Sequence, residues 1–175
     1  MLALRRNRWP LFAVFISSSL ILGVYQTVLA NSTSHQSQAP IANVAVSRRE
    51  QSQTLFTAGI QKALQGDYKN AIQDYDQALK LAPSNSEVYY NRGVAYFSIG
   101  LPQNAIQDFD QAITLQPSMA EAYGNRGMIR SHLGDRPGAL ADYQKAMDLF
   151  QQQGDASAAQ QMQDWIKQQD GTSPS

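Results

Sequence analysis

The chain changes character three times along its length, and the change is one of pattern before it is one of composition. Residues 11–24, LFAVFISSSLILGV, are uncharged and mostly apolar, preceded by Arg5, Arg6 and Arg8 with no acidic residue before them. Asn31–Glu50 is rich in Ser, Gln and Ala with little apolar periodicity. From Ser52 onward apolar and small residues recur at helical spacing and polar residues fill the other positions, which predicts successive amphipathic helices. In the middle of that region the spacing predicts one helix over about 86–99 and another over about 102–115. Gly100 stands where the first must stop in a left-handed cap, and Pro102 stands in the first turn of the second. Pro83 and Pro117 disfavour helix in the residue before them and end the preceding helices.

The pattern repeats. Asn70–Ser84 (NAIQDYDQALKLAPS) recurs as Asn104–Ser118 (NAIQDFDQAITLQPS) with 11 of 15 positions identical, an offset of 34. A further step of 34 reaches Gly138 and a diverged third copy, GALADYQKAMDLFQQ. The same step aligns Gly59, Gly93 and Gly127; Ala71, Ala105 and Ala139; Tyr75, Phe109 and Tyr143; and Ala78, Ala112 and Ala146. On these residues the chain resembles the tetratricopeptide repeat family, over about Ser52–Gln153.

The resemblance implies an all-α, right-handed solenoid of three helix-turn-helix repeats, 52–85, 86–119 and 120–153, within a repeat domain at 51–153. Gly93 and Ala105 are expected where the two helices of repeat two cross, with the small side chains allowing close approach. After Gly154, Ala158, Met162, Trp165 and Ile166 form a stripe at i, i+4, i+7 and i+8, read as a capping helix within 154–170; a disordered tail follows at 171–175.

Upstream of the repeats, residues 1–30 read as an export segment: a basic start, an apolar middle, and Val28 and Ala30 at the −3 and −1 sites of a cut after Ala30. Leu11–Leu29, 19 residues, is also nearly long enough for an uncleaved membrane anchor. Under either alternative the arginines stay in the cytoplasm and the rest crosses. Residues 31–50 read as a flexible spacer.

Composition then excludes chemistry. The chain has no cysteine and two histidines, His35 and His132, so thiol catalysis, disulfides and a histidine-rich metal site are set aside. With 14 basic and 14 acidic residues there is no basic excess for nucleic acid. Asp74 with Asp76, and Asp108 with Asp110, look like paired carboxylates, but residues two apart on a helix do not share a face; they are expected on solvated helix surface. No phosphate loop or nucleophile motif is present. No enzyme activity, cofactor or metal is expected.

What remains is binding. The resemblance places a concave groove on the first helix of each repeat, and there a partner-binding set falls on Phe56, Ile60, Tyr90, Asn91, Val94, Phe97, Asn125, Met128 and His132. Asn91 and Asn125 could hydrogen-bond a ligand's peptide groups. Members of the family that grip a C-terminal carboxylate use two lysines, an arginine and two asparagines. Here Asn91 matches, but Phe56, Ile60, Glu121 and Asn125 hold the other four positions, which disfavours that clamp. The expected function is a non-catalytic adaptor or scaffold that binds a protein or peptide segment outside the cytoplasm, touching a membrane through its N-terminus if uncleaved. The alternatives are a membrane-anchored assembly factor for a membrane complex and a helper of cell-envelope enzymes.

Overall fold

A computed structural model describes residues 40–169, all in helices and short connections. Residues 1–39 and 170–175 lie outside the described residues, and with them the expected export segment, the first part of the expected spacer and the tail. Seven helices run in order: α1 Pro40–Leu64, α2 Tyr68–Leu81, α3 Ser86–Ser98, α4 Pro102–Leu115, α5 Ala120–His132, α6 Arg136–Gln153 and α7 Ala156–Gln169. Each packs on its neighbours in the chain, so α1/α2, α3/α4 and α5/α6 are hairpins stacked in sequence and α7 lies against α6. The described fold is all-α.

Repeated local chemistry sets the helix ends. Gly66, Gly100, Gly134 and Gly154 take positive φ of 79–86°, a conformation that costs glycine nothing. At each, the following residue turns its N–H back to a carbonyl of the last helical turn: Asp67 to Lys62, Leu101 to Tyr96, Asp135 to Arg130 and Asp155 to Phe150, all at 2.8–2.9 Å. The next helix opens with a polar cap where one is available. The Asp67 carboxylate accepts from the Asn70 N–H, Asn85 Oδ1 from Glu87 and Val88, and Asp135 from Gly138. Leu101 makes no such side-chain bond, and there Pro102 begins the helix instead. Pro83 and Pro117 follow α2 and α4 by two residues. Gln151 takes the equivalent place in the third copy, and α6 runs on to 18 residues against 14 for α2 and α4.

α1 corrects the reading of residues 31–50 as spacer: it begins at Pro40, well before the first repeat. Residues 40–50 lack glycine and carry Ala, Arg and Glu, which propagate a helix, while Pro40 sits at the first helical position, where a missing N–H costs nothing.

Each hairpin is locked by a ring lying on a glycine. A Cβ built on Gly59 would stand 2.5 Å from the Tyr75 ring, one on Gly93 3.0 Å from Phe109, and one on Gly127 2.9 Å from Tyr143. Gly93, expected with Ala105 where the two helices cross, makes room for the Phe109 ring, while Ala105, fully buried, is part of the core around that ring. That core takes in Met119 at the junction and draws on the next repeat through Ala122 and Ile129, so hairpins bury one another's faces. At the end of the stack α7 completes the core with Ala158, Ala159 and Met162, and Trp165 packs on Tyr143 with ring centroids 5.2 Å apart.

Candidate functional site

The first helices of the hairpins, α1, α3 and α5, carry side chains in matched register. Gln53, Glu87 and Glu121 are separated by steps of 34, as are Thr57, Asn91 and Asn125; Ile60, Val94 and Met128; and Leu64, Ser98 and His132. Equivalent positions on stacked, equivalent helices form rows across one face. Ile60, Val94 and Met128 make an apolar row of half-buried side chains, with half-buried Phe97 beside it. His132 is exposed at the last turn of α5.

The structure divides the expected groove set. Phe56 is 3% exposed and packs on Tyr75, with centroids 6.0 Å apart; it is a core residue of the first repeat. Asn125 is buried and its amide donates to the Tyr90 hydroxyl at 3.0 Å, tying α5 to α3. The Asn91 amide donates to the Glu87 carbonyl of its own helix at 2.8 Å. Each of these asparagines thus donates one N–H to an oxygen of the protein itself, which ties part of the amide that the sequence offered to a ligand. Tyr90 lies over Phe109, centroids 5.8 Å apart. Burial, reinforced by the nearby Glu121 carboxylate and opposed by the Asn125 bond, raises the Tyr90 hydroxyl well above the ordinary tyrosine value. Ile60, Val94, Phe97, Met128 and His132 remain as the part-open surface, with Tyr90 as its half-buried floor.

The expectation of a solvated surface holds for Asp76 and Asp110, whose side chains are 41% and 45% exposed, and is corrected for Asp108, 4% exposed, and for Asp74, largely buried; Asp142, the counterpart of Asp108 in the third repeat, is buried as well. Arg92 of α3 donates to Asp108 of its own hairpin from Nε at 2.8 Å and Nη2 at 2.7 Å, and reaches Asp76 of the preceding hairpin from Nη1 at 2.5 Å. One repeat later Arg126 does the same with Asp142 and Asp110. The two aspartates of each pair do point apart, to different cations: Asp74 to Lys62 and Asp76 to Arg92, Asp108 to Arg92 and Asp110 to Arg126. Tyr89 and Tyr96 flank the Arg92 guanidinium at 5.5 and 5.7 Å, and Tyr123 flanks Arg126 at 5.5 Å. Burial works against the Arg92 charge, but the Asp108 and Asp76 carboxylates outweigh it and hold its pKa above the ordinary arginine value. Burial raises the Asp108 carboxyl, with the Arg92 bonds and charge opposing. The signal was present in the sequence: Arg92 and Arg126 share the 34-residue step with their aspartates. These groups are structural, and among the described residues no His/Cys/Asp/Glu cluster could hold a metal ion.

Family profiles described as "TPR repeat" and "Tetratricopeptide repeat" match residues 62–100, 86–119 and 120–153. These are tetratricopeptide repeats. The three matched descriptions name an interaction fold and no enzyme family. A search of curated proteins returned no match. Among solved structures the repeats are similar to the Arabidopsis OM64 TPR domain, at 26% identity and a TM-score of 0.63, covering 69% of this chain and 98% of that one. They are also similar to the first TPR of Spaghetti (RPAP3) bound to the HSP90 peptide SRMEEVD, at 28% identity and a TM-score of 0.61, covering 69% and 93%. The likeness to PcrH in complex with the chaperone binding region of PopD, at 16% identity and a TM-score of 0.66 over 70% and 92% of the two chains, shows the fold alone. Among the described residues no helix is long and apolar enough to cross a membrane.

Proposed function

We propose that this tetratricopeptide repeat protein is a non-catalytic adaptor that takes a segment of a partner protein on the face of α1, α3 and α5, outside the cytoplasm. The observation that carries it is the part-open apolar row Ile60, Val94 and Met128, repeated on three helices and bordered by Phe97 and polar side chains. The similar TPR domain bound to an HSP90 peptide supports a peptide ligand in this fold. The placement outside the cytoplasm rests on Arg5, Arg6 and Arg8 followed by the apolar Leu11–Val24 stretch. Membrane attachment, and with it a role in assembling a membrane complex or helping envelope enzymes, follows if that stretch is retained.

Met128 is the side chain to change, because it is half-buried and belongs to neither hydrophobic core cluster. Phe97 and Val94 pack against a core cluster, so their loss would unsettle the fold as well as the face. Met128→Gln keeps length and neutrality and removes apolar contact worth ~1–2 kcal/mol, about tenfold in capture. Pull-downs from the native envelope with wild type and Met128→Gln as baits measure it. Equal recovery of the same partners, with helicity unchanged, defeats the assignment. Mass spectrometry of the protein's N-terminus separates the settings: a start at Asn31 in the soluble exported fraction gives a free adaptor, an intact N-terminus in membranes a tethered one.

A further inference from the structure

The charges on the first helices are sorted by side. On α1, α3 and α5 nearly every cation turns toward carboxylates of the second helices. Lys62 Nζ is 2.6 Å from Asp74, Arg92 holds Asp76 and Asp108, Arg126 holds Asp110 and Asp142, and Arg130 reaches Asp142 at 2.9 Å. The acidic residues of α3 and α5 do the opposite. Glu87 and Glu121 form their own row with Gln53, on the same helices as the rows that carry Asn91, Val94 and Met128, and among the described residues neither makes an ion pair within 4.0 Å. No lysine or arginine occupies any position of those rows. Arg48 and Arg49 are the exception among cations: both line an open cleft of ≈ 1050 Å³ whose other wall is 81–87, with Glu87 on it. They temper the field of Glu87, whereas Glu121, in the first turn of α5 and near the Tyr90 hydroxyl, has no such arginine pair lining a cleft beside it.

From this sorting we infer that the occupant of the face is a basic–apolar segment, an apolar side chain against Val94 and Met128 with a lysine or arginine beside it directed at Glu121. The inference rests on the binding face proposed above and adds its ligand chemistry. An acidic segment would meet like charge there, which costs affinity and slows encounter. The peptide on the similar Spaghetti TPR, SRMEEVD, carries three acidic side chains in its last four residues, the sign that Glu87 and Glu121 would repel here. Sign selection of this kind works through modest pairwise terms, about threefold per half-exposed pair, and weakens as salt screens it.

The test uses the purified full chain in mild detergent and a display library of random nonapeptides. Selected sequences should be enriched in lysine or arginine next to an apolar residue, and a selected peptide should bind several-fold more weakly at high salt than at low. Glu121→Lys should shift the enriched charge to aspartate and glutamate, and Glu87→Lys should shift it less, because Arg48 and Arg49 already stand nearby. A pool enriched in acidic residues, a pool without charge preference, no enrichment at all, or an unchanged preference in Glu121→Lys overturns the inference. Met128→Gln separates the two claims. Neutral apolar peptides that lose binding with it leave the face intact and remove its charge preference; peptides indifferent to it place binding elsewhere and remove the face.

Discussion

Gly59→Ala is the sharpest test of how the hairpins are held. A methyl on Gly59 would lie 2.5 Å from Cε1, 2.7 Å from Cδ1 and 3.1 Å from Cζ of Tyr75. The ring cannot retreat easily, being 1% exposed and backed by Phe56. Forcing a methylene-sized group into a core costs ~1–3 kcal/mol, and a ring that cannot retreat puts this case in the upper half, ~2–3 kcal/mol. Alanine in place of a mid-helix glycine returns up to ~1 kcal/mol of helix propensity, so the net loss is about 1–2 kcal/mol. For a domain of this size that lowers the melting temperature by roughly 3–10 °C. Gly124→Ala provides the contrast: it earns the same propensity gain, and its nearest neighbour would be the Met162 sulfur at 3.4 Å, ordinary contact with a flexible side chain. It should be neutral or stabilising by up to ~1 kcal/mol. Thermal melts followed by circular dichroism measure both, and hydrogen exchange locates the loss to α1 and α2. If Gly59→Ala melts at or above the wild-type temperature, as Gly124→Ala should, the glycine–ring contact does not hold the hairpin.

Two further predictions concern the buried polar groups. Arg92→Met strands the Asp108 carboxylate, whose side chain is 6% exposed, and should cost ~3–5 kcal/mol in urea denaturation; Arg92→Met with Asp108→Leu should recover most of it. A double variant as unstable as the single one would remove the ion pair as the cause. Burial, with the Asp142 charge adding and a Ser131 hydrogen bond opposing, pushes the Tyr143 hydroxyl up to about 12 from 10.0. Because the folded value is the higher, its contribution is complete below pH 10 and is lost as pH rises toward 12. Tyr143→Phe should therefore lose about 2–3 kcal/mol less stability than wild type across that window, read from denaturation midpoints; parallel alkaline limbs would contradict the burial of the hydroxyl.

Much of the fold was legible because a 34-residue step forces the same few residues into the same jobs. Glycines at the helix ends and Pro102 at a helix start act locally, so spacing alone reveals them. What spacing cannot show is the partner a residue finds across space. Phe56, Tyr90 and Gly124 share one register position yet differ in what they meet: the Tyr75 ring, the Phe109 ring and the Met162 sulfur from the last helix. Asn125 looked available because half of an amide's value is its exposure, and exposure depends on the Tyr90 hydroxyl from the previous repeat. Asp108 looked solvated for the same reason: its arginine lies 16 residues away on another helix. The start of α1 at Pro40 was missed because a Ser- and Gln-rich composition hides a run of adequate helix formers.

The Arg92 and Arg126 bridges also bear on how long such a chain can become. Each arginine touches an aspartate in its own hairpin and one in the hairpin before, and Asp110 offers the following repeat what Asp76 offers Arg92. Asn91 stands where Asn125 stands, one step from a tyrosine in the Tyr90 position. A gene duplicating residues 86–119 in tandem would therefore encode a junction whose ionic and amide contacts are already matched, with no compensating change. At the ends the pattern closes, since Ala58 occupies the arginine position of the first repeat and Gln144 the outer aspartate position of the last. The middle repeat is the copyable unit, and the outer two set where copying stops.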